Sequence, residues 1–134
     1  MAGYSKQSLM EKLGIREGAR VALLNAPRGY ARTLGPLPRR VTRQPRAIGP
    51  LDFIQFFTTE KLELTRRFAG LARALAPAGM VWISWPKQAS GVATDLTEGV
   101  VRTIGLAHGL VDVKVAAVDE VWSALKFVRR LRDR

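Results

Sequence analysis

The sequence contains no cysteine and only one histidine, His108. Without cysteine, disulfides, thiol nucleophiles and cysteine-ligated metals are excluded, and the composition is typical of a reducing cytoplasm. A single histidine gives little basis for a zinc site or a Ser–His catalytic pair. No run approaches the roughly 18 to 20 apolar residues that span a bilayer, and the first residues lack the apolar core of a secretory signal. We therefore expect a cytoplasmic protein that holds no metal and does not enter a membrane.

Acidic residues are absent between Gly18 and Leu51, a segment that contains seven arginines. A second basic segment ends the chain, and the net charge is +11. Clustered arginines can attract phosphate groups or acidic protein surfaces. They can equally be solvated faces, and neither cluster is interleaved with the aromatic residues that stack on bases. The candidate basic patch consists of Arg39, Arg40, Arg43, Arg46, Arg129 and Arg130.

Continuous apolar runs, typical of buried strands, alternate along the chain with segments whose apolar residues recur at helical spacing. A length of 134 residues with 47% hydrophobic and 25% charged residues predicts one globular domain: a lead-in helix in 1–18, an α/β core in 19–128 and a basic tail in 129–134. Strands are predicted at 19–25, 51–57 and 80–86, with a short edge strand near Val41. Helices are predicted from Thr58 or Thr59 to Ala76, and from a capping box formed by Asp95 and Glu98. The last two strands, about 110–118 and 121–128, must be antiparallel because their connection is short.

This order predicts an α/β fold with a single, mainly parallel sheet, helices on both faces and an antiparallel C-terminal hairpin. The layout from Leu51 onward resembles the second half of a class I methyltransferase-like, or Rossmann-like, fold. That resemblance implies that the strands at 19–25 and 51–57 lie side by side at the topological switch point. Ligands of such sheets bind in the crevice at the carboxyl ends of these strands.

Several segments resemble a specific bacterial family, the domain of unknown function 3052. They are KLGI, ARVALLNAPRGY, LDFIQFF, SWPKQASGVATDLTE and VDVKVAAVDEVWSALKFV, and together they cover nearly the whole chain. The family resemblance implies a small, reduced methyltransferase-like fold. It implies no established reaction.

Methyltransferases of this fold hold S-adenosylmethionine with a glycine-rich turn after the first strand and an acidic residue after the second, which bonds the ribose hydroxyls. Here the first turn is LLNAPRGY, whose only glycine is Gly29, and the region after the second strand has no acidic residue. The region between the second and fourth strands of that plan is also very short. These departures predict that no cofactor is bound.

The remaining candidate site is in the segment SWPKQASGVATD, residues 84–95. Its first three residues end the strand at 80–86, and the loop begins at Lys87. Backbone N–H groups at a helix start, beside a lysine, can bind an anion. We therefore expect a non-catalytic module for an anionic small ligand or an acidic partner, with two alternatives. One is a divergent S-adenosylmethionine-type transferase with a degenerate cofactor loop, and the other is nucleic-acid binding through the arginine-rich segment. The candidate ligand-binding residues are Lys87, Ser90, Gly91 and Thr94 on one wall and Asn25, Arg28 and Tyr30 on the other.

Overall fold

A computed structural model describes residues 7–134 and contains one six-stranded sheet. The strands are β1 (Arg20–Leu24), β2 (Thr42–Gln44), β3 (Leu51–Phe57), β4 (Leu75–Pro86), β5 (Leu110–Ala117) and β6 (Trp122–Arg129). The helices are α1 (Leu9–Leu13), α2 (Tyr30–Leu34), α3 (Lys61–Ala74) and α4 (Glu98–Ala107), with single 3-10 turns at Gln88–Ser90 and Leu131–Asp133. None of the helices in this described part is long and apolar enough to cross a membrane.

The sheet order is β2-β1-β3-β4-β6-β5. Strands β2, β1, β3 and β4 are parallel, and β6 is antiparallel to both β4 and β5. The predicted fold class is therefore confirmed, including the pairing of β1 with β3. Strand β2 is short and lies at the edge, as the prolines around it required.

Helices cover the two faces of the sheet with separate apolar cores. On one face, α3 contributes Leu64, Phe68 and Leu71, and α4 contributes Val101 and Ile104. Strands β1 and β3 are buried along almost their whole length, and β4 is buried from Val81 to Pro86, because both faces of the sheet are covered there. This burial explains their continuous apolar runs.

The opposite face is covered by α1 and α2. Leu13 of α1 and Leu34 of α2 pack there with Phe53 and Trp82 from the sheet. The Trp82 indole N–H donates to the carbonyl of Leu13 at 2.9 Å, which satisfies a polar group in a fully buried side chain. Ser8 begins α1 with a capping box that includes Glu11.

Strand β4 begins earlier than the sequence indicated. It starts at Leu75, directly after α3, whereas the predicted helix continued to Ala76 and the predicted strand began at residue 80. Leu51 of β3 pairs with Leu75, and the register then shifts before Phe53 pairs with Met80. Gly79 lies inside this irregular stretch, where an added Cβ would come within 2.6 Å of the Leu51 carbonyl oxygen. The irregularity therefore depends on a residue with no side chain.

Helix α4 also begins differently. Its N-cap is Thr97, whose hydroxyl accepts the Val100 N–H, so the predicted capping box of Asp95 and Glu98 is wrong. Asp95 caps another helix: its carboxylate accepts the N–H of Lys61 in the first turn of α3 at 2.7 Å. A one-dimensional pattern cannot show a cap supplied by a residue 34 positions away.

Two glycines in α4 provide a matched test of the packing between α4 and β6. We expect Gly105→Ala to destabilise the protein by about 1 to 3 kcal/mol, because an added Cβ would lie 2.0 Å from the buried ring of Phe127. The midpoint of thermal unfolding should fall by roughly 3 to 10 °C. Gly99→Ala is the control, since its Cβ would meet only the Thr97 hydroxyl oxygen at 3.9 Å. That variant should keep or raise the midpoint, and equal losses in both variants would contradict the packing argument.

Candidate functional site

The carboxyl ends of β1 and β3 form the crevice expected at a topological switch point. The chain leaves β1 toward α2 on one face of the sheet and leaves β3 toward α3 on the other. The strands are neighbours, with Leu24 paired with Phe56 near their ends. Because the two connections diverge, the strand ends remain uncovered between them.

Asn25 is the first residue after β1 and has a left-handed backbone conformation, with φ 57°. Asparagine tolerates this region better than most residues other than glycine. Its side-chain amide donates to the carbonyl of Phe57 at 3.2 Å and to the carboxylate of Glu63 at 3.4 Å. Asn25 thus connects the end of β1 to the end of β3 and to α3. Four residues later Gly29 has φ 83°, with no other atom within 4 Å of an added Cβ.

Glu63, in the first turn of α3, is a site residue that the sequence analysis missed. The buried Thr58 hydroxyl donates to its carboxylate at 2.6 Å and accepts the Glu60 N–H at 3.1 Å. Glu63 is thereby held against the ends of both central strands. The sequence does contain one feature that could have identified Glu63: it is a carboxylate in the first turn of the helix that directly follows a buried strand.

A groove of about 510 Å³ adjoins this network. Its floor and walls come from the end of β1, the segment that follows β2 and the residues of α3 between Arg67 and Leu71. The lining is mixed: Leu24, Ala47, Ile48 and Leu71 are apolar, Asn25 is polar, and Arg46 and Arg67 are basic. The volume lies within the range of roughly 300 to 1,000 Å³ that is usual for small-molecule sites.

Tyr30, predicted to line the crevice, is only 3% exposed and belongs to the core between α2 and the sheet. Its hydroxyl donates to Gln55 at 2.6 Å, and the Gln55 amide donates to Ser84 at 3.0 Å. Burial raises the pKa of the tyrosine well above its ordinary value, so the phenol stays protonated at neutral pH. Trp85 is also buried, at 5% exposure, and does not border the crevice. Arg28 is exposed in the loop after β1.

The loop from Lys87 to Thr94 lies at the same edge of the sheet, after β4. The Ser90 hydroxyl donates to the Lys87 carbonyl at 2.6 Å and accepts the Val92 N–H. The Thr94 hydroxyl donates to the Thr59 carbonyl at 2.6 Å and accepts the Leu96 N–H. Both hydroxyls therefore hold the loop in shape, while Gly91 is exposed and Lys87 is half-buried.

The six candidate basic-patch residues do not form one surface. Arg39, Arg40, Arg43 and Arg46 are exposed around β2, whereas Arg129 lies at the end of β6, and three strands lie between β2 and β6 in the sheet. The Arg129 guanidinium donates to the carbonyls of Ala72 and Leu75 at 2.7 and 2.9 Å, so it caps the C-terminal end of α3. Arg130, the next residue, is half-buried.

Comparison with family models gives no match, and no curated protein is similar in sequence. Solved structures do match. An SAM-dependent methyltransferase from Aquifex aeolicus has TM-score 0.64 and 14% identity, with 89% of this chain and 86% of that chain covered. Magnesium protoporphyrin IX methyltransferase from Synechocystis with bound SAH has TM-score 0.58 and 14% identity, with 91% and 78% covered. A TehB-like SAM-dependent methyltransferase from Corynebacterium glutamicum has TM-score 0.57 and 11% identity, with 91% and 85% covered.

These matches establish the class I methyltransferase-like fold. They contradict three linked predictions: that the chain is a non-catalytic binding module, that it leans away from being an enzyme, and that it binds no cofactor. The Aquifex and Corynebacterium proteins are named SAM-dependent methyltransferases, and the Synechocystis methyltransferase has been solved with bound SAH and with bound SAM. They favour the alternative interpretation, the divergent transferase.

The contact between the loop after β4 and α3 can be tested at Asp95. We expect Asp95→Ala to cost about 0.5 to 2 kcal/mol of stability, because the Lys61 N–H at the start of α3 loses its acceptor. Asp95→Asn keeps an acceptor oxygen and should recover most of the loss. Denaturant unfolding followed by circular dichroism measures both variants. Unchanged stability in the alanine variant would show that the cap contributes nothing.

Proposed function

We propose that this protein is an S-adenosylmethionine-dependent methyltransferase that holds its cofactor in the groove beside Asn25. The proposal depends chiefly on one observation: a groove of about 510 Å³ lies at the carboxyl ends of the first two strands of a methyltransferase-like sheet. Open α/β sheets bind ligands at this edge. When bound, the cofactor supplies a methyl group on a positively charged sulfur.

The residues after β1 are compatible with close approach of a ligand. A glycine-rich turn is absent, but Asn25 and Gly29 both have left-handed conformations, φ 57° and 83°. These two residues give the backbone the turn that glycine provides elsewhere in the family fold. The space beside Gly29 is open, since an added Cβ there would meet no other atom within 4 Å.

A carboxylate for the ribose hydroxyls is available from α3 in place of β2. The residues after β2 are Pro45 and Arg46, neither of which can accept a hydrogen bond from a hydroxyl through its side chain. Glu63 can, and its carboxylate accepts a hydrogen bond from Asn25, which does line the groove. The apolar residues Leu24, Ile48 and Leu71 provide a surface for a purine ring.

The methyl acceptor would enter between the loop after β1 and the loop after β4. Lys87 and Gly91 lie on the latter loop, at the same edge of the sheet as Thr58. Their role as a contact for an anionic group of the acceptor is part of this proposal. Hydrogen bonds from Ser90 and Thr94 would support the loop and leave Lys87 to interact with the ligand.

We further propose that the chain belongs to the domain of unknown function 3052 family, because of the segments named above, of which SWPK and SGVATDLTE are the most specific. A cytoplasmic location is proposed from the absence of cysteine.

The groove can be blocked at Gly70, which lines it on α3. An added Cβ at Gly70 would meet only the Arg73 guanidinium, at 3.8 Å, so a larger side chain can be accommodated without disturbing the core. We expect SAH at 100 times its dissociation constant to stabilise the wild type by about 2.7 kcal/mol, a rise of roughly 5 to 10 °C in the midpoint. Gly70→Leu should fold normally, since leucine favours helices, and should lose this shift.

Thr65→Leu is the matched control, because Thr65 is exposed on α3 and does not line the groove. It should keep the full shift with SAH. If the wild type shows no shift and no heat of binding with SAH or SAM, the cofactor proposal is wrong. An equal shift in Gly70→Leu would instead show that the cofactor binds elsewhere.

A further inference from the structure

Strands β5 and β6 bring two lysines directly opposite each other. Lys114 is the register partner of Lys126 in the antiparallel pair, just after the register shift that begins at Asp112. Side chains opposite one another on such a ladder lie about 5 Å apart at Cβ, and like charges there are destabilising. The placement is therefore unfavourable for the isolated protein.

Two more cations approach the same place from α1 and the residues that follow it. The Lys114 ammonium donates to the carbonyl of Lys12 at 3.3 Å, and the Lys12 ammonium donates to the carbonyl of Ala117 at 3.4 Å. The pKa of the Lys126 ammonium is lowered first by burial and then by the charges of Lys114 and Arg16. Lys12, Arg16, Lys114 and Lys126 are called the cationic cluster below.

Nearby carboxylates are engaged elsewhere. Glu11 is hydrogen-bonded to the N-cap residue Ser8, and Glu17 lies 4.0 Å from the Arg40 guanidinium. Within residues 7–134 no carboxylate lies within 4.0 Å of a charged nitrogen of the cationic cluster. The repulsion among its members is thus not offset by an ion pair in this part of the chain.

We infer that the cationic cluster binds the phosphate backbone of a nucleic acid. A nucleic acid carries one negative charge per nucleotide, so it can neutralise several residues of the cationic cluster at once. The net charge of +11 also attracts it through long-range electrostatics. Lysine is a compact charge suited to phosphate but is depleted in the cores of protein interfaces, which disfavours an acidic protein. Among the described residues the phenylalanine, tyrosine and tryptophan side chains are buried except Trp122, which is half-buried and packs edge-on against Phe57. We therefore expect contacts to phosphates rather than stacking on bases, and such contacts carry no sequence information. The inference does not depend on the proposed methyltransferase activity.

The test measures binding of a labelled 20-base-pair duplex by fluorescence anisotropy between 50 and 200 mM KCl. Four phosphate contacts should weaken wild-type affinity on the order of 10²-fold over this range. The double variant Lys114→Gln/Lys126→Gln keeps two contacts, so its affinity should fall only on the order of 10-fold over the range. At 50 mM KCl it should bind more weakly than the wild type. Its thermal midpoint should equal or exceed that of the wild type, because repulsion between opposite lysines is removed.

Lys61→Gln/Arg66→Gln is the control, since it removes the same net charge from exposed positions on α3. It should keep the wild-type salt dependence. Equal weakening in the control and the cluster variant would overturn the inference, because net charge alone would then explain binding. A polyglutamate peptide that competes as well as the duplex would overturn it in favour of an acidic protein. Two duplexes of unrelated sequence should bind equally, and a marked preference would also contradict it.

Discussion

The parallel pairing of β1 with β3 is the contact on which the rest of the structure depends. Only α2 and β2 lie between these strands in the chain, yet the two strands pair over four register positions and are buried on both faces. Their helices leave in opposite directions, and this divergence creates the crevice. The hydrogen bonds of Asn25 to Phe57 and Glu63 then connect both strand ends with α3. The position of the groove follows from this pairing.

The loop after β4 is fixed to the same assembly by α3. Thr94 donates to the carbonyl of Thr59, and Asp95 accepts the N–H of Lys61, so the loop caps the helix that walls the groove. A change in this loop would therefore act on the start of α3, where Glu63 lies. Loop and groove are parts of one structure, although the last groove residue, Leu71, lies 16 positions before the start of the loop at Lys87.

Sequence patterns predicted the sheet well and the site less well, for a physical reason. Strands β1, β3 and β4 are buried on both faces, and burial produces continuous apolar runs that are visible in one dimension. Asp95 has the local spacing of a cap for α4 but caps α3, because its partner lies far away in the chain. Tyr30 sits beside a predicted crevice yet is turned into the core by its hydrogen bond to Gln55. Side-chain direction depends on tertiary contacts that spacing does not encode.

The error about the cofactor had a similar origin. A glycine-rich turn was expected after the first strand and a carboxylate after the second, but the sequence has a single glycine in that turn, Gly29, and no carboxylate after the second strand. Asn25 can adopt the left-handed conformation associated with glycine, and Glu63 brings a carboxylate to the strand ends from a helix. What a ligand requires is a charge or a backbone shape at a point in space. Once the sheet has formed, residues at several different positions in the chain can provide that charge or backbone shape.

The groove and the cationic cluster lie on opposite faces of the sheet, so we expect binding at one to have little effect on the free energy of binding at the other. Leu71 and Arg67 line the groove on the face covered by α3, whereas Lys114 contacts α1 on the other face. A duplex lying against the cationic cluster leaves the groove open, so neither ligand excludes the other by overlap. Any coupling between them would require a change in the β4 and β6 strands that connect the two regions, and these strands are paired along seven register positions. Such an extensively paired element resists small displacements, so we expect the two binding free energies to be close to additive.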